Sequence, residues 1–200
     1  MAAQCDFLIA QSISPNCDDP IVNGIEQNGV IINKQDIDMT ATQYDATRKN
    51  VIKKLILNNK GYKIFVPSKQ PFNNTQTTME VGTNRNSFTN DLAFVVLDND
   101  PDICSKIIDK LANGEFVVVF ENKYKNMNKE TTPGDSTFQI MGWYQGLRAT
   151  TLENNKYSED TEGGWNVVLQ ETKSPRSGVF LFDTDIEMTR AAFESLTEAV

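Results

Sequence analysis

Residues 91–120 read DLAFVVLDNDPDICSKIIDKLANGEFVVVF, and this stretch decides the fold class. Its first part, residues 91–97, is a nearly continuous apolar run of the kind found in a strand buried on both faces. Its last part, residues 116–120, is a Val- and Phe-rich run that predicts another strand. The segment between them predicts a helix, so a strand, a helix and a strand are expected in direct succession.

The predicted helix, about residues 100–113, has recognisable ends. Asp100 is the candidate N-cap, and Pro101 occupies the first helical position, where its missing N–H costs nothing. Gly114 is predicted to end the helix as a left-handed cap. The predicted buried face repeats at i, i+4 and i+8 and consists of Ile103, Ile107 and Leu111.

Two further apolar runs precede this stretch. Residues 51–57 (VIKKLIL) and 62–66 (YKIFV) flank residues 58–61 (NNKG). Strand-forming residues on either side of an Asn/Gly turn are typical of a β-hairpin. We therefore predict a hairpin over residues 51–66.

The remainder of the chain predicts more strands and a second helix. A capping box at residues 184–187 (TDIE) is expected to open a C-terminal helix over about 185–199, with Ile186, Phe193, Leu196 and Val200 on its buried face. Helices do not alternate with strands, which excludes a Rossmann-type fold. The expected fold is mainly β, a single-domain β-sandwich or barrel of about eight strands with these two helices laid against it. The later strands are expected at 137–144, 147–152, 165–169 and 179–182.

Composition excludes several classes of function. The 200 residues include 19 Lys and Arg, 27 Asp and Glu and no His, giving a formal net charge of −8. Without histidine there is no Ser-His-Asp triad, no Cys-His pair and no imidazole general base. The acidic balance argues against holding nucleic acid through its phosphates, because that mode requires clustered Lys and Arg.

The three cysteines indicate neither a disulfide framework nor a thiolate metal site. Cys5, Cys17 and Cys104 are odd in number, widely spaced and free of a C-x-x-C pair. The N-terminus lacks the basic region and long apolar run of a signal peptide, and no apolar run reaches the ~18 residues of a membrane span. We expect a soluble protein of a reducing cytoplasm, without a bound cofactor.

Paired acids are the remaining candidates for chemistry. Asp98, Asp100 and Asp102 begin like a calcium loop, but Ile103 stands where an EF-hand requires Gly, and Asp109 replaces the bidentate Glu. Helix capping is the stronger interpretation of these acids. A carboxylate pair acting as in a glycosidase stays open as an alternative, although no motif places a specific pair in a cleft. No catalytic, cofactor-binding or metal-binding residue is predicted.

Residues 71–90 contain five Thr and five Asn and almost no large aliphatic side chain. Such a segment cannot bury enough apolar area to form its own core. Long loops within compact domains are usually functional or disordered. Two interpretations remain: a flexible loop, or a segment that becomes ordered against a neighbouring subunit, where residues 77–81 (TTMEV) add a strand.

The order of these elements resembles the tail tube proteins, or major tail proteins, of long-tailed bacteriophages. A hairpin, a long Thr/Asn segment, a buried strand, a capped helix and further strands follow one another over most of the chain. Residues 17–26 (CDDPIVNGIE) and 182–194 (FDTDIEMTRAAFE) are similar to stretches of virion structural proteins of phages infecting Bacteroidetes.

The resemblance implies a virion protein that self-assembles in the host bacterial cytoplasm into hexameric rings. The rings stack into a hollow tail tube that delivers the genome. The tube would contact other tail proteins and the head-tail connector, and the resemblance implies no association with a membrane. Residues 70–90 would be the inter-subunit loop, residues 1–27 a contact arm, and the internal helix would lie on the outer side of the sheet. The implied inter-subunit contacts are Phe72, Thr77, Thr78, Met79, Val81 and Phe88 in the loop, and Cys17 and Ile21 in the arm.

Charge bears on this interpretation independently. A ring of subunits of net charge −8 would be strongly acidic, and an acidic lumen repels phosphate, so DNA would pass without specific binding. We therefore expect mainly Asp and Glu to line the lumen. The alternatives are another phage structural component, such as a head-tail connector, tail terminator or decoration protein, or a cytoplasmic carboxylate-pair enzyme.

Overall fold

A computed structural model describes residues 8–13, 21–123 and 133–198. These residues form eleven strands in two sheets, with one internal and one C-terminal helix. The prediction of a mainly β, sandwich-like fold is confirmed. The strands are β1 (Ile25–Asn33), β2 (Gln43–Tyr44), β3 (Val51–Lys54), β4 (Tyr62–Phe65), β5 (Gln76–Glu80), β6 (Ser87–Val96), β7 (Phe116–Asn122), β8 (Phe138–Met141), β9 (Arg148–Asn154), β10 (Trp165–Ser174) and β11 (Val179–Leu181).

The larger sheet has seven strands in the order β2-β3-β11-β8-β7-β1-β4. Its neighbouring strands are antiparallel except for β11 and β3, which run parallel with Phe180 opposite Val51. The smaller sheet has four strands in the order β5-β6-β10-β9, all antiparallel. The chain passes from the larger sheet to the smaller one twice, after β4 and after β8.

Strand β7 contributes to both hydrophobic cores because its side chains alternate. Phe116, Val118 and Phe120 pack into the first core, between the two sheets, where they meet residues of β6 and β10. Val117 and Val119 pack into the second core, on the other face of the seven-stranded sheet. Burial on both faces explains why this strand reads as an uninterrupted apolar run.

The C-terminal helix covers the second core. It spans Ile186–Glu194, and Phe193 packs tilted against Phe138 with ring centroids 5.2 Å apart. Asp185 is the N-cap and accepts a hydrogen bond from the Met188 N–H at 2.8 Å, so the cap lies one residue after the start of the predicted box. The helix ends five residues before the predicted boundary at 199, and Val200 lies outside the described residues.

The predicted hairpin over residues 51–66 is wrong. Strands β3 and β4 lie near opposite ends of the seven-stranded sheet, and four strands separate them. The intervening segment crosses the second core, where Leu57 forms a bridge with Ile37 and the Gly61 N–H donates to the Leu196 carbonyl at 2.7 Å. A Cβ on Gly61 would lie 2.8 Å from the Ile31 carbonyl oxygen, so this Gly serves a close approach between elements rather than a hairpin turn.

The prediction of one loop over residues 70–90 is wrong for residues 76–80 and 87–90, which lie in strands, whereas residues 70–75 and 81–86 are outside them. Residues 76–80 form β5, which pairs antiparallel with the first half of β6, and residues 81–86 are the connection between them. Strand β6 begins at Ser87 rather than at 91, and its outward residues Asp91 and Val95 are only half-buried. Strand β6 is therefore not buried on both faces throughout.

The internal helix runs without a break through Pro101–Ile103, Cys104–Ile108 and Asp109–Asn113, and its middle section is π-helical. The wider π turn shifts the buried face, so Ile108 and Leu111 are buried whereas Ile107 is exposed. These buried residues pack into the first core, not onto the outer side of a sheet. Gly114 is extended, with φ −90° and ψ 171°, and the predicted left-handed cap is wrong.

Removal of the Asp100 cap is expected to destabilise the protein by about 1 kcal/mol. The Asp100 carboxylate accepts from the Ile103 N–H at 2.7 Å, as the sequence predicted. The matched control is Asp102→Ala, because Asp102 is exposed and pairs only with Lys106 one turn later. Urea unfolding should show a loss for Asp100→Ala and a change within about 0.5 kcal/mol for Asp102→Ala; equal losses would contradict the capping role.

Candidate functional site

The four-stranded sheet presents a polar face away from the first core. The inward positions of β6 and β10 include Leu92, Phe94, Val167 and Leu169, so the residues between them face outward. The strand registers extend this alternation to β5 and β9. The outward face consists of Gln76, Thr78, Glu80, Ser87, Thr89, Asp91, Ala93, Val95, Arg148, Thr151, Glu153, Asn166, Val168 and Gln170.

This face carries an excess of negative charge. Glu80, Asp91 and Glu153 are its acids, and Arg148 is its only base. The Arg148 guanidinium is paired with the Glu115 carboxylate, which offsets its charge. Within this set of residues, three acids therefore accompany a single base that already has a carboxylate partner.

The β5–β6 hairpin is stabilised mainly by polar pairs. Thr77 donates its hydroxyl proton to the Asn90 side-chain oxygen at 2.7 Å, and the Gln76 amide donates to Asp91 at 3.1 Å. The Thr75 hydroxyl accepts from the Ala93 N–H at 3.2 Å. These contacts replace the apolar burial that the Thr/Asn-rich sequence lacks. The sequence contains a pattern that predicts this hairpin. Thr, which favours strands, lies on both sides of residues 82–86, and those residues contain the Gly and Asn typical of a turn.

Strand β5 ends the sheet on one side and β9 on the other, so each lacks a strand neighbour beyond it among the described residues. All five residues of β5 are exposed, and the strand contains no Lys or Pro. Natural edge strands are usually protected by such residues or by a covering element. Met79, 57% exposed, and Val81, 83% exposed, add apolar surface beside this edge.

The predicted contact residues fall in different places. Thr77, Thr78 and Met79 lie on the open edge strand, and Phe88 is half-buried opposite Met79 on β6. Phe72 lies in the first core, 3% exposed and stacked on Phe120 with ring centroids 6.5 Å apart. Its side chain has no surface available to a neighbour, so Phe72 is removed from the candidate contacts. Ile21 is exposed, and Cys17 lies outside the described residues.

Residues preceding β1 expose an unusual number of large apolar side chains. Besides Ile21, four others are at least half exposed: Leu8, Ile9, Ile13 and Val22. Single exposed apolar residues are ordinary, whereas five among the described residues before β1 are more than is usual.

Glu171 is a buried carboxylate that the sequence analysis missed. It is 1% exposed and projects inward from β10, at the period-2 position that follows Val167 and Leu169. One carboxylate oxygen accepts from the backbone N–H groups of Tyr144 and Gln145, both at 2.8 Å. The other accepts from the Asn90 amide at 2.9 Å and from the Gly142 N–H at 3.2 Å.

Three of these four hydrogen bonds attach the smaller sheet to the turn that follows β8, and the fourth joins β6 to β10 within that sheet. Within that turn, Gly142 and Gly146 have positive φ, and Trp143 is buried with its indole N–H donating to the Tyr44 hydroxyl at 3.1 Å. The Lys34 ammonium donates to the Tyr144 carbonyl. Burial lowers the pKa of Lys34, and the nearby carboxylates of Glu171 and Glu115 oppose that shift. The Glu171 carboxylate, the Lys34 ammonium and the Trp143 indole therefore all stabilise the turn after β8.

The acids considered for catalysis or metal binding serve local structure. Asp98 accepts from the N–H groups of Asn99 and Asp100, and Asp100 caps the internal helix. Asp36, the other buried carboxylate in the described ranges, accepts from the Asn33 and Asn59 amides at 2.9 and 2.8 Å. Over residues 8–13, 21–123 and 133–198, no cluster of three or more His, Cys, Asp or Glu side chains is placed to hold a metal ion.

Two concave regions lie on the surface of the described residues. A polar cleft of about 650 Å³ lies between residues 66–74 and the loop after β9. An apolar groove of about 1030 Å³ lies between β4 and the internal helix, and Tyr62, Phe65 and Ile107 are among its lining residues.

Among the described helices, none combines the length and apolar composition that a membrane span requires. A scan against protein-family models, a search of curated proteins and a search of solved structures found no match to this chain.

Proposed function

We propose that this chain is a virion structural protein, a tail tube subunit that assembles into stacked hexameric rings. The observation that supports the proposal most directly is the four-stranded antiparallel sheet with an open strand at each end and a polar, acidic outward face. Sheets of this kind extend by edge pairing between copies. Closure of such a pairing into a ring would leave no edge exposed.

The polar and acidic outward face of the four-stranded sheet is suited to line the lumen of a tube. Joining β5 of one copy to β9 of the next would place the outward faces of all copies on one side of a continuous barrel. That side would carry Glu80, Asp91 and Glu153 from every subunit, with each Arg148 paired to Glu115. Such a surface repels the phosphates of DNA and allows passage without binding.

The edge pairing would bury Met79. Its register with Phe88 places it on the inward side of the sheet, whereas Thr78 and Glu80 face outward. The exposed apolar residues before β1 supply further contact surface for a neighbour. Other tail components and the head-tail connector would then meet the ends of the tube.

Substitution of Met79 by Lys is expected to abolish assembly, because pairing would bury an ammonium group without a partner. The matched control is Met188→Lys on the C-terminal helix, since the two methionines are 57% and 51% exposed. Negative-stain images of the purified full chain should show six-fold rings or tubes for the natural protein and for Met188→Lys, and neither for Met79→Lys. Both variants should retain the melting temperature of the natural protein.

The images also distinguish the alternatives. Single rings that never stack would favour a connector or terminator. A monomer at all concentrations, in the natural protein, would sink the assembly proposal.

A further inference from the structure

The apolar groove lies where the larger sheet ends at β4. Strand β4 pairs with β1 and is the last strand of the seven-stranded sheet. Its residues Tyr62 and Phe65 are 65% and 55% exposed, and Ile107 on the facing internal helix is exposed as well. These side chains therefore leave apolar area in contact with water at the surface of the groove. An edge strand beside exposed apolar side chains is the arrangement that accepts an extended peptide segment.

The residues before β1 have the composition of such a segment. Ile9 and Ile13 are 81% and 92% exposed, and Ile21 and Val22 are exposed too, so their own copy does not cover these side chains. Residues 8–13 belong to no helix or strand. In an extended chain Ile9 and Ile13 would point to the same side, about 13 Å apart. One extended segment could therefore place both in the groove.

Charge favours this segment over a second β4 strand. Residues 1–24 contain three Asp and no Lys or Arg. Three Lys and one Asp line the groove, and among the described residues only Lys106 of these Lys is in a salt bridge. Pairing β4 with β4 of another copy would add a second Lys63 to this basic rim, which is unfavourable. The groove therefore selects an apolar segment with acids around it.

We propose that the apolar groove binds residues 8–13 of another copy of this chain. The segment adds to the edge of β4 as an extended strand, with Ile9 and Ile13 in the groove. The inference rests on the proposed self-assembly but not on pairing between β5 and β9, because β4 is an edge of the other sheet. Ring closure through the four-stranded sheet leaves β4 free to make this contact.

The first experiment uses the full chain with Ile13 replaced by benzoylphenylalanine, a photo-cross-linking residue. This protein is mixed with the natural chain labelled with ¹⁵N and irradiated, and cross-linked peptides are identified by mass spectrometry. We expect cross-links from position 13 to residues 62–65 or 106–111 of the labelled copy. Cross-links confined to one copy, or none to either range, would overturn the proposal.

Variants then measure the contact in the Met79→Lys chain, where edge pairing through β5 is expected to be lost. Ile9→Ser/Ile13→Ser removes two apolar side chains from the segment, and Ile107→Glu places a carboxylate in the groove. Each should weaken association between full chains by at least about tenfold, the value of burying one Ile. Sedimentation velocity over a dilution series gives the affinities.

Two controls match these variants. Ser12→Ala alters a side chain that faces away from Ile9 and Ile13 in an extended strand. Leu97→Glu adds a carboxylate at a residue 43% exposed, against 39% for Ile107, outside the groove. Both controls should associate as tightly as the parent chain, and all variants should keep its melting temperature.

The outcomes separate this contact from the ring. Cross-links to the groove in a natural protein that forms no rings would keep the groove proposal and count against the tail tube. Rings in the natural protein, together with a Met79→Lys chain that is monomeric at every concentration, would do the reverse. Equal affinities for Ile107→Glu and Leu97→Glu would also overturn the groove proposal.

Discussion

Replacing Glu171 with Ala is expected to lower the free energy of unfolding by about 3–5 kcal/mol, a large fraction of the roughly 5–15 kcal/mol by which proteins are ordinarily stable. The substitution leaves four buried donors without an acceptor, three of them backbone N–H groups of the turn after β8. Each stranded buried donor costs about 1–3 kcal/mol, and water entering the vacated space recovers part of this. The loss should also reach β5, because Asn90 joins Glu171 to Thr77.

Glu171→Gln separates hydrogen bonding from side-chain volume. It keeps the shape of Glu171 but turns one oxygen into an NH₂ group, which must then face two of the four donors. We expect about half the loss of the Ala variant. The control is Glu115→Gln, an exposed carboxylate in a salt bridge with Arg148, for which a change of about 0.2–1 kcal/mol is expected.

The measurement is urea unfolding with the slope fitted freely. A constant slope shows that only the native state has been destabilised. A loss below about 1 kcal/mol for Glu171→Ala would show that the turn finds other partners, contrary to the role assigned to the carboxylate.

The second large effect concerns DNA. If the outward face of the four-stranded sheet lines a tube, the double variant Glu80→Lys/Glu153→Lys should convert a repelling lumen into one that retains DNA. Both residues are exposed on that face. Many lysines per ring would neutralise phosphates, and retention should fall steeply with salt. For about 6–10 contacts, affinity falls about 10³–10⁵-fold between 50 and 200 mM salt.

The matched control is Glu194→Lys, an exposed acid at the end of the C-terminal helix, which packs on the far face of the other sheet. Tubes of the three proteins are incubated with short duplex DNA and sedimented. Co-sedimentation restricted to the double variant is the expected outcome. Retention by Glu194→Lys tubes to the same extent, or by natural tubes, would mean that the acidic face does not line the channel.

Sequence reasoning succeeded where a residue's role depends on its immediate neighbours. The FVVVF run of β7 identified a strand, and Asp100 before Pro101 identified a helix start. It failed where the partner is distant in sequence. The NNKG segment at 58–61 has hairpin composition, yet its hydrogen bonds go to Asp36 and Leu196.

The candidate site shows the same division. The segment containing Thr77 was recognised as strand-forming, but its partner was expected in another subunit rather than in β6. Glu171 was predictable in part, since alternation along β10 places it inward. Nothing local indicates the turn after β8 that supplies its donors, because that contact depends on how the two sheets stack.

The parallel pairing of β11 with β3 sets the timing of folding during synthesis. Phe180 lies beside Val51, so β3, in the first third of the chain, cannot pair with β11 until the end of the chain has been synthesised. At about 5–20 residues per second, translation of the intervening ~130 residues takes roughly 6–26 s. Throughout that interval, β2 and β3 have no place in the larger sheet. A nascent chain therefore cannot complete its fold on the ribosome until almost all of it has emerged.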